Sequence, residues 1–434
     1  MLKIIALKYI MKYILYGGIK MNRNTNLKFA NAAAQPSNSK WFEMIKRRDE
    51  IYSKGNDIRT EFERDYTRIL HSLAYRRLKH KTQVFFNTNN DHICTRIEHV
   101  NHVESVSYTI ARYLGLNVEL TRAISTAHDL GHAPFGHEGE KIIKEISKKY
   151  LNEEFWHEKN GLHFVDEVEL LEDNNRVKNN MNLTYAVRDG IISHCGEVDE
   201  NSIFPREEAM DLMLFDSPGK YQPYTWEGCV VKISDKISYI GRDIEDAIRL
   251  KFIGDKELDV LYKIAAKYNH ETINTTRLMH ELIIDLCENS SSEKGLRLSK
   301  SSLNMMDEIK EFNYNYIYNS ERFENFKKFS ALVLNSIFEE LLKLYKSGDT
   351  INNIISAKTN SDILNNEFFN WITQYCDLSD IKSNELNENS INHNNKKIYE
   401  KLENKDKYIR AIFDFISGMT DQYAINIFNE LIQF

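Results

Sequence analysis

Turn-forming residues are scarce in this 434-residue chain. It holds 17 glycines and five prolines, about 5% of its length where ordinary usage is roughly 12%. All the prolines lie at or before Pro223, so nothing from residue 224 onward interrupts a helix in that way. This shortage disfavours a turn-rich β architecture and predicts a mostly α-helical chain. Cysteines are few and scattered, at 94, 195, 229, 287 and 376, with no CxxC pair and an odd total. That excludes a disulfide framework and a cysteine zinc site, and it suits a reducing cytoplasm. Excess positive charge is also lacking. The formal net charge is −7, so any anionic ligand must be drawn by a local basic cluster or a metal.

Long uninterrupted apolar runs are missing as well, which argues against a membrane protein. The nearest approach is "MLKIIALKYIMKYILYGGIK" (1–20), which lysines break up and no small-residue cleavage site follows. Met21 then opens a polar segment that resembles an ordinary start. Residues 1–40 are therefore expected to be an N-terminal extension, with 1–20 an upstream start-site extension or a disordered tail and 21–40 a flexible arm.

From Trp41 to about Tyr150 helical patterning is nearly continuous. In "HVNHVESVSYTIARYLGL", Val100, Val103, Val106, Ile110 and Leu114 recur at three- and four-residue steps, and Gly115 ends the run. The next helix carries Leu120, Ala123, Ile124 and Ala127 on one face and stops before Gly131 and Pro134. Residues 200–225, 288–295 and the Asn-rich 383–397 read as loops.

The densest chemistry is in "AHDLGHAPFGHEGE" (127–140), with three histidines and three carboxylates in 14 residues. The spacing puts His128 and Asp129 at a helix end and the other two histidines in the loop beyond. His99 opens the preceding helix. In "VVKISDKISYIGRDIEDAI", Asp235, Tyr239 and Asp243 fall at i, i+4 and i+8, which predicts one face of one helix. Two imidazoles and two carboxylates without a thiolate suit a borderline-to-hard divalent ion such as Mn, Fe, Mg or Ni, with positions left for water and substrate. By spacing alone, each of these residues could equally be a cap, a core histidine or a solvated charge.

The stretches "RTEFERDYTRILHSLAYRRLKHKTQVF" (59–85), "TRIEH" (95–99), "AHDLGHAPFGHEGE", "SDKISYIGRDIEDA" (234–247) and "RAIFDFISGMTDQYA" (410–424) together resemble the HD-domain dNTP triphosphohydrolases, the dGTPase-like branch above all. The resemblance implies an all-α fold: an HD-superfamily catalytic core over 41–287, and a C-terminal helical region over 288–434 that completes the site and makes oligomer contacts. It implies hydrolysis of a dNTP to deoxynucleoside and inorganic triphosphate by water attack at the α-phosphorus. It also implies one divalent metal (Mn, Mg or Fe) per site, held by His99, His128, Asp129 and Asp235. His132, His137 and Glu140 would stand beside the α-phosphate, with His137–Glu140 as the preferred acid–base pair and His132 as the alternative proton donor. His157, in an altered "FWHEKNG" flank, would join them. Arg96 and Lys236 would hold phosphate, Tyr239 would exclude a ribose 2′-hydroxyl, and Gln83 and Asp243 would bind the 3′-hydroxyl. A homo-oligomer is implied, a hexamer foremost, with a dNTP or single-stranded DNA as effector. The stretch from about 250 to 405 aligns poorly, which leaves base preference open. The alternatives are another HD phosphohydrolase (a nucleotidase or cyclic-nucleotide phosphodiesterase) and a single-stranded nucleic-acid-binding regulator using the basic 59–81 segment.

Overall fold

The computed structural model describes residues 27–52, 57–86, 90–173, 175–195, 201–268, 273–358, 363–379, 381 and 395–433. The described chain is helical apart from a short antiparallel hairpin, Leu170–Glu172 with Lys178–Asn180, and a few isolated bridges. The all-α expectation holds.

Local signals account for the helices that matter most. Helix Arg96–Leu114 opens on Thr95, whose backbone N–H donates to Glu98 Oε2 at 2.8 Å, and it closes on Gly115 in the left-handed conformation at φ 83°. Two residues later Asn117 caps helix Val118–Ala127, accepting the backbone N–H groups of Glu119 and Leu120. So tight a connection folds the two helices back on each other. The first turn of one then lies beside the last turn of the other, which brings His99 to His128. Helix Trp226–Tyr239 packs against both and adds Asp235 to the same end. The apolar faces read from the sequence are buried, from Val100 to Leu114, from Leu120 to Ala127, and at Val230, Val231, Ile233 and Ile237.

Two hydrophobic cores flank this bundle. One gathers residues 34–231 together with 333–428, so helices Glu324–Lys343 and Lys405–Ser417 pack onto helix Gly136–Leu151. The other joins Trp226 and Ile237 to Leu278, Leu296 and Met306. Leu286 and Cys287 lie in that core with Leu296 and Leu298, so the expected boundary at 287/288 runs through a packed interior.

Three local expectations need correction. Residues 27–40 are packed rather than a flexible arm. Phe29 is buried edge-on against Trp226 at 4.7 Å, the Ala34 N–H donates to Glu227 Oε1, and Lys28 Nζ donates to the carbonyls of Cys287, Glu288 and Ser290. The segment 1–26 lies outside the described residues, as does most of 383–397. Second, the helix carrying Asp235 stops at Tyr239, and another runs from Arg242 to Arg249. A Cβ at Gly241 would meet Thr275 at 3.0–3.1 Å, so close packing selects glycine there, and Asn313 Nδ2 takes the Ile240 carbonyl at 2.9 Å. Asp243 is therefore on a different helix from Asp235 and Tyr239. Third, His137 lies in the first turn of helix Gly136–Leu151 rather than in a loop.

Candidate active site

Four of the expected donors converge. His99 Nε2 is 2.9 Å from Asp235 Oδ1 and 3.9 Å from Asp129 Oδ2, while His128 Nε2 is 3.5 Å from Asp129 Oδ1 and 3.9 Å from Asp235 Oδ1. His128 Nδ1 donates to the Ser125 carbonyl at 2.7 Å, which orients the ring and turns Nε2 toward the carboxylates. That Nε2 is buried and has no hydrogen-bond partner. Burial works against ionising His99, Asp129 and Asp235. Even so, the Asp235 hydrogen bond and the charges of Asp235 and Asp129 leave the His99 imidazole raised. Burial also opposes ionisation of Asp235, yet His99 and His128 pull its carboxyl down to about 2. Asp129 lies well below the ordinary carboxylate range for the same kind of reason, with His128, His132 and Arg96 outweighing desolvation.

Beyond the donors lies a stack of histidines. The rings of His132 and His157 are parallel within 18° and 3.8 Å apart. His132 Nε2 meets Asp129 Oδ1 at 3.1 Å. Glu140 accepts from the His157 backbone N–H at 2.9 Å and meets its Nδ1 at 3.1 Å, and Glu158 is 3.4 Å from the same Nδ1. Two stacked buried rings cannot both be charged, and the neighbours decide which one holds the proton. Despite its burial, Glu158 and Glu140 hold the His157 imidazolium well above its ordinary value. Burial, with the charges of Arg96 and His157, pushes His132 well below.

The expected His137–Glu140 pair is present but loose, at 3.8 Å, and the His137 side chain is 67% exposed. Glu140 belongs first to His157. A glycine makes this layout possible: a Cβ at Gly131 would lie 2.1 Å from both the His157 carbonyl oxygen and the Gly161 nitrogen. Only a bare Cα lets the loop after Asp129 close onto helix His157–His163, where Asn160 Nδ2 donates to the Gly131 carbonyl at 2.7 Å.

The remaining expected residues surround this core. Arg96 is 1% exposed; its Nη1 donates to Asp129 Oδ2 at 2.8 Å, and its Nε and Nη2 are buried without partners. A Cβ placed on Gly136 would be 3.6 Å from Arg96 Nη2 and 3.4 Å from the Gln83 carbonyl oxygen, so Arg96 and the Gln83 backbone both border the residue before His137. The buried Gln83 Oε1 also has no partner. Lys236 follows Asp235 directly and is half-buried, and Tyr239 closes the helix, packed half-buried on the second core. Asp243 is buried, accepts a hydrogen bond from the Tyr318 hydroxyl, and is pushed up to about 6 by desolvation. The expected residues thus gather at one end of the bundle.

Sequence reasoning missed His194, Glu158 and Tyr318. His194 copies His128: it ends a helix, its Nδ1 meets the carbonyl three residues back (Ile191, 2.7 Å), and its ring is 4.9 Å from that of His128. Burial takes it down to about 3, so it is neutral. The helix-ending "ISHC" was the only signal, and it is a weak one. The basic segment turned out differently from its charge count. Arg59, Arg64, Arg68 and Arg77 are in ion pairs, with Asp57, Glu61, Asp65 and Glu169, and Lys81 is buried, while Arg76 and Lys79 are exposed.

A family model for the HD domain matches residues 96–240, and one for the phosphohydrolase-associated domain matches residues 385–430. A deoxyguanosinetriphosphate triphosphohydrolase-like protein of Rickettsia canadensis (strain McKiel) is 32% identical over 413 residues, covering 89% of this chain and 97% of its own. The namesake from Caldanaerobacter subterraneus subsp. tengcongensis is 32% identical over 377 residues, covering 86% of each chain. This chain belongs to the deoxyguanosinetriphosphate triphosphohydrolase-like family. It carries the HD domain of metal-dependent phosphohydrolases, and its donors fit such a metal. His99, His128 and Asp129 can place one ligand atom each within 4.8 Å of one another, and Asp235 bonds to His99. The orphaned His128 Nε2 is the atom such an ion would satisfy. No helix among the described residues is long and apolar enough to cross a membrane.

Proposed function

We propose that this chain hydrolyses a deoxynucleoside triphosphate to deoxynucleoside and inorganic triphosphate. The observation that carries the reading is Arg96. A buried guanidinium anchored by one nitrogen on Asp129, with two further nitrogens unpartnered beside the loop leading to His137, is built for an anion that arrives later. The names of the relatives point the same way.

In this reading His99, His128, Asp129 and Asp235 hold one divalent cation, Mn, Mg or Fe. When bound, it supplies Lewis-acid polarisation of a phosphoryl oxygen and lowers the pKa of water. Arg96 and Lys236 grip the phosphates. Water attacks the α-phosphorus, the bond from phosphorus to the 5′-oxygen breaks, and that oxygen takes up a proton as the deoxynucleoside leaves. His137 is suited to supply the proton, because it is the histidine of 127–140 whose side chain opens to solvent. Glu140, held at 2.9–3.1 Å by His157, is a fixed carboxylate against which His137 is oriented. His132, kept neutral, donates its Nε2–H to Asp129 and shapes the metal side of the site. Gln83 and Asp243 meet the 3′-hydroxyl, and Tyr239 stands where a 2′-hydroxyl would collide.

We further read the protein as a cytoplasmic homo-oligomer, a hexamer foremost, with a dNTP or single-stranded DNA as effector. Its five cysteines are all unpaired thiols, as a reducing compartment requires. The test is product analysis with each dNTP and NTP in Mg or Mn. Deoxynucleoside plus intact triphosphate is expected. Monophosphate plus pyrophosphate, or orthophosphate alone, would refute the reading in favour of another HD phosphohydrolase.

A further inference from the structure

The loop between Asp129 and His137 has an unusual backbone. Phe135 sits in the left-handed region at φ 65° although it carries a bulky side chain, and Gly136 follows it there at φ 58°. A non-glycine residue stays in that conformation only where its surroundings hold it. Here the hold comes from the far end of the chain. Asp421, the first residue of helix Asp421–Ile432, is buried; its Oδ1 accepts the Phe135 N–H at 2.8 Å and its Oδ2 accepts the Thr82 N–H at 2.9 Å. Beside it, the buried Lys81 Nζ donates to the carbonyls of His132 and Ser417, the latter at 3.0 Å.

Thr82 precedes Gln83, and Phe135 lies two residues before His137. One buried carboxylate thus splints the segment bearing Gln83, the proposed 3′-hydroxyl contact, to the loop that bears His132 and leads into the helix bearing His137. Lys81 ties the same loop to the turn from which Asp421 projects.

We propose that Asp421 is a positioning residue for the reaction. Its two oxygens set the spacing between the 3′-hydroxyl end and the acid–base end of the site, so the C-terminal segment completes the active site without touching substrate. This rests on the dNTP reading above. Asp421→Asn is the discriminating change, since an amide cannot accept from both N–H groups at once through two oxygens.

The test compares full-length wild type and Asp421→Asn by metal content, steady-state kinetics with dGTP, and amide hydrogen exchange. We expect exchange to rise about tenfold or more in segments 81–86 and 131–140, with distant helices unchanged. Metal content should be retained. kcat should fall on the order of 10²-fold, by more than KM changes, as for a misplaced rather than a missing group. Wild-type exchange in those segments, or wild-type kcat, would overturn the proposal. So would faster exchange throughout the molecule with loss of metal, which would mark a merely structural role. Should the variant not fold, the wild-type protein still decides. The Thr82 and Phe135 amides, outside regular secondary structure, must be among the slow exchangers, and fast exchange at either refutes the splint. If wild type releases no triphosphate from any dNTP, the dNTP reading falls, while exchange and metal content still judge the splint separately.

Discussion

Asp243 costs this fold stability, and the cost can be worked out. Its carboxyl rises from 3.8 to about 6 on folding because burial strips it of water, and the Tyr318 hydrogen bond only partly compensates. Well below its unfolded value of 3.8 the group is protonated in both states and costs nothing. As pH rises through 6 the native state must release a proton it holds more tightly than the unfolded chain does, so stability falls. At 1.36 kcal/mol per pH unit of displacement, the penalty is about 1.6 kcal/mol at pH 5 and about 3 kcal/mol at pH 7.5. Asp243→Asn removes the ionisation and keeps an oxygen for Tyr318. With an unfolding entropy of about 2.1 cal/mol/K per residue, 434 residues lose roughly 1 °C per kcal/mol, so the metal-free variant should melt ~3 °C higher at pH 7.5 and ~1.5 °C higher at pH 5. Differential scanning calorimetry of the metal-free proteins at the two pH values measures this. An advantage that is absent, or that does not grow with pH, would refute burial as the cause.

Two further outcomes bear on the site itself. His128→Ala or Asp129→Ala should abolish metal binding and turnover together, because each removes a donor from a buried set; elemental analysis showing full metal with full activity would remove both from the ligand role. Tyr239→Ala should raise ribonucleotide hydrolysis relative to dNTP hydrolysis, read as the ratio of kcat/KM values; an unchanged ratio would end its role against the 2′-hydroxyl.

Much of this site was legible along the chain because helical periodicity is local. Val100 to Leu114 and Leu120 to Ala127 declared their buried faces, the caps at Thr95 and Asn117 declared the ends, and the tight turn at Gly115 made the return of His128 to His99 almost unavoidable. Other features depended on contacts between residues distant in sequence. The helix through Asp235 looked continuous to Asp243, but Thr275 and Asn313 press on Gly241 and Ile240 and split it. Glu140 was expected to serve His137, three residues away. It turned instead to His157, because Gly131 lets that helix approach. In the basic run at 59–81, Arg77 found Glu169 across the fold, while Arg59, Arg64 and Arg68 pair with carboxylates two or three residues away.

The sequence by itself determined the helical class and the faces that the central helices bury, since propensity, capping and short connections act over a few residues. Tertiary structure alone decided that His132 and His157 stack, which carboxylate each imidazole meets, and that Asp421 reaches back to Phe135 and Thr82. Those outcomes depend on desolvation and on distances of a few ångströms between segments up to 339 residues apart, and no pattern along the chain encodes either.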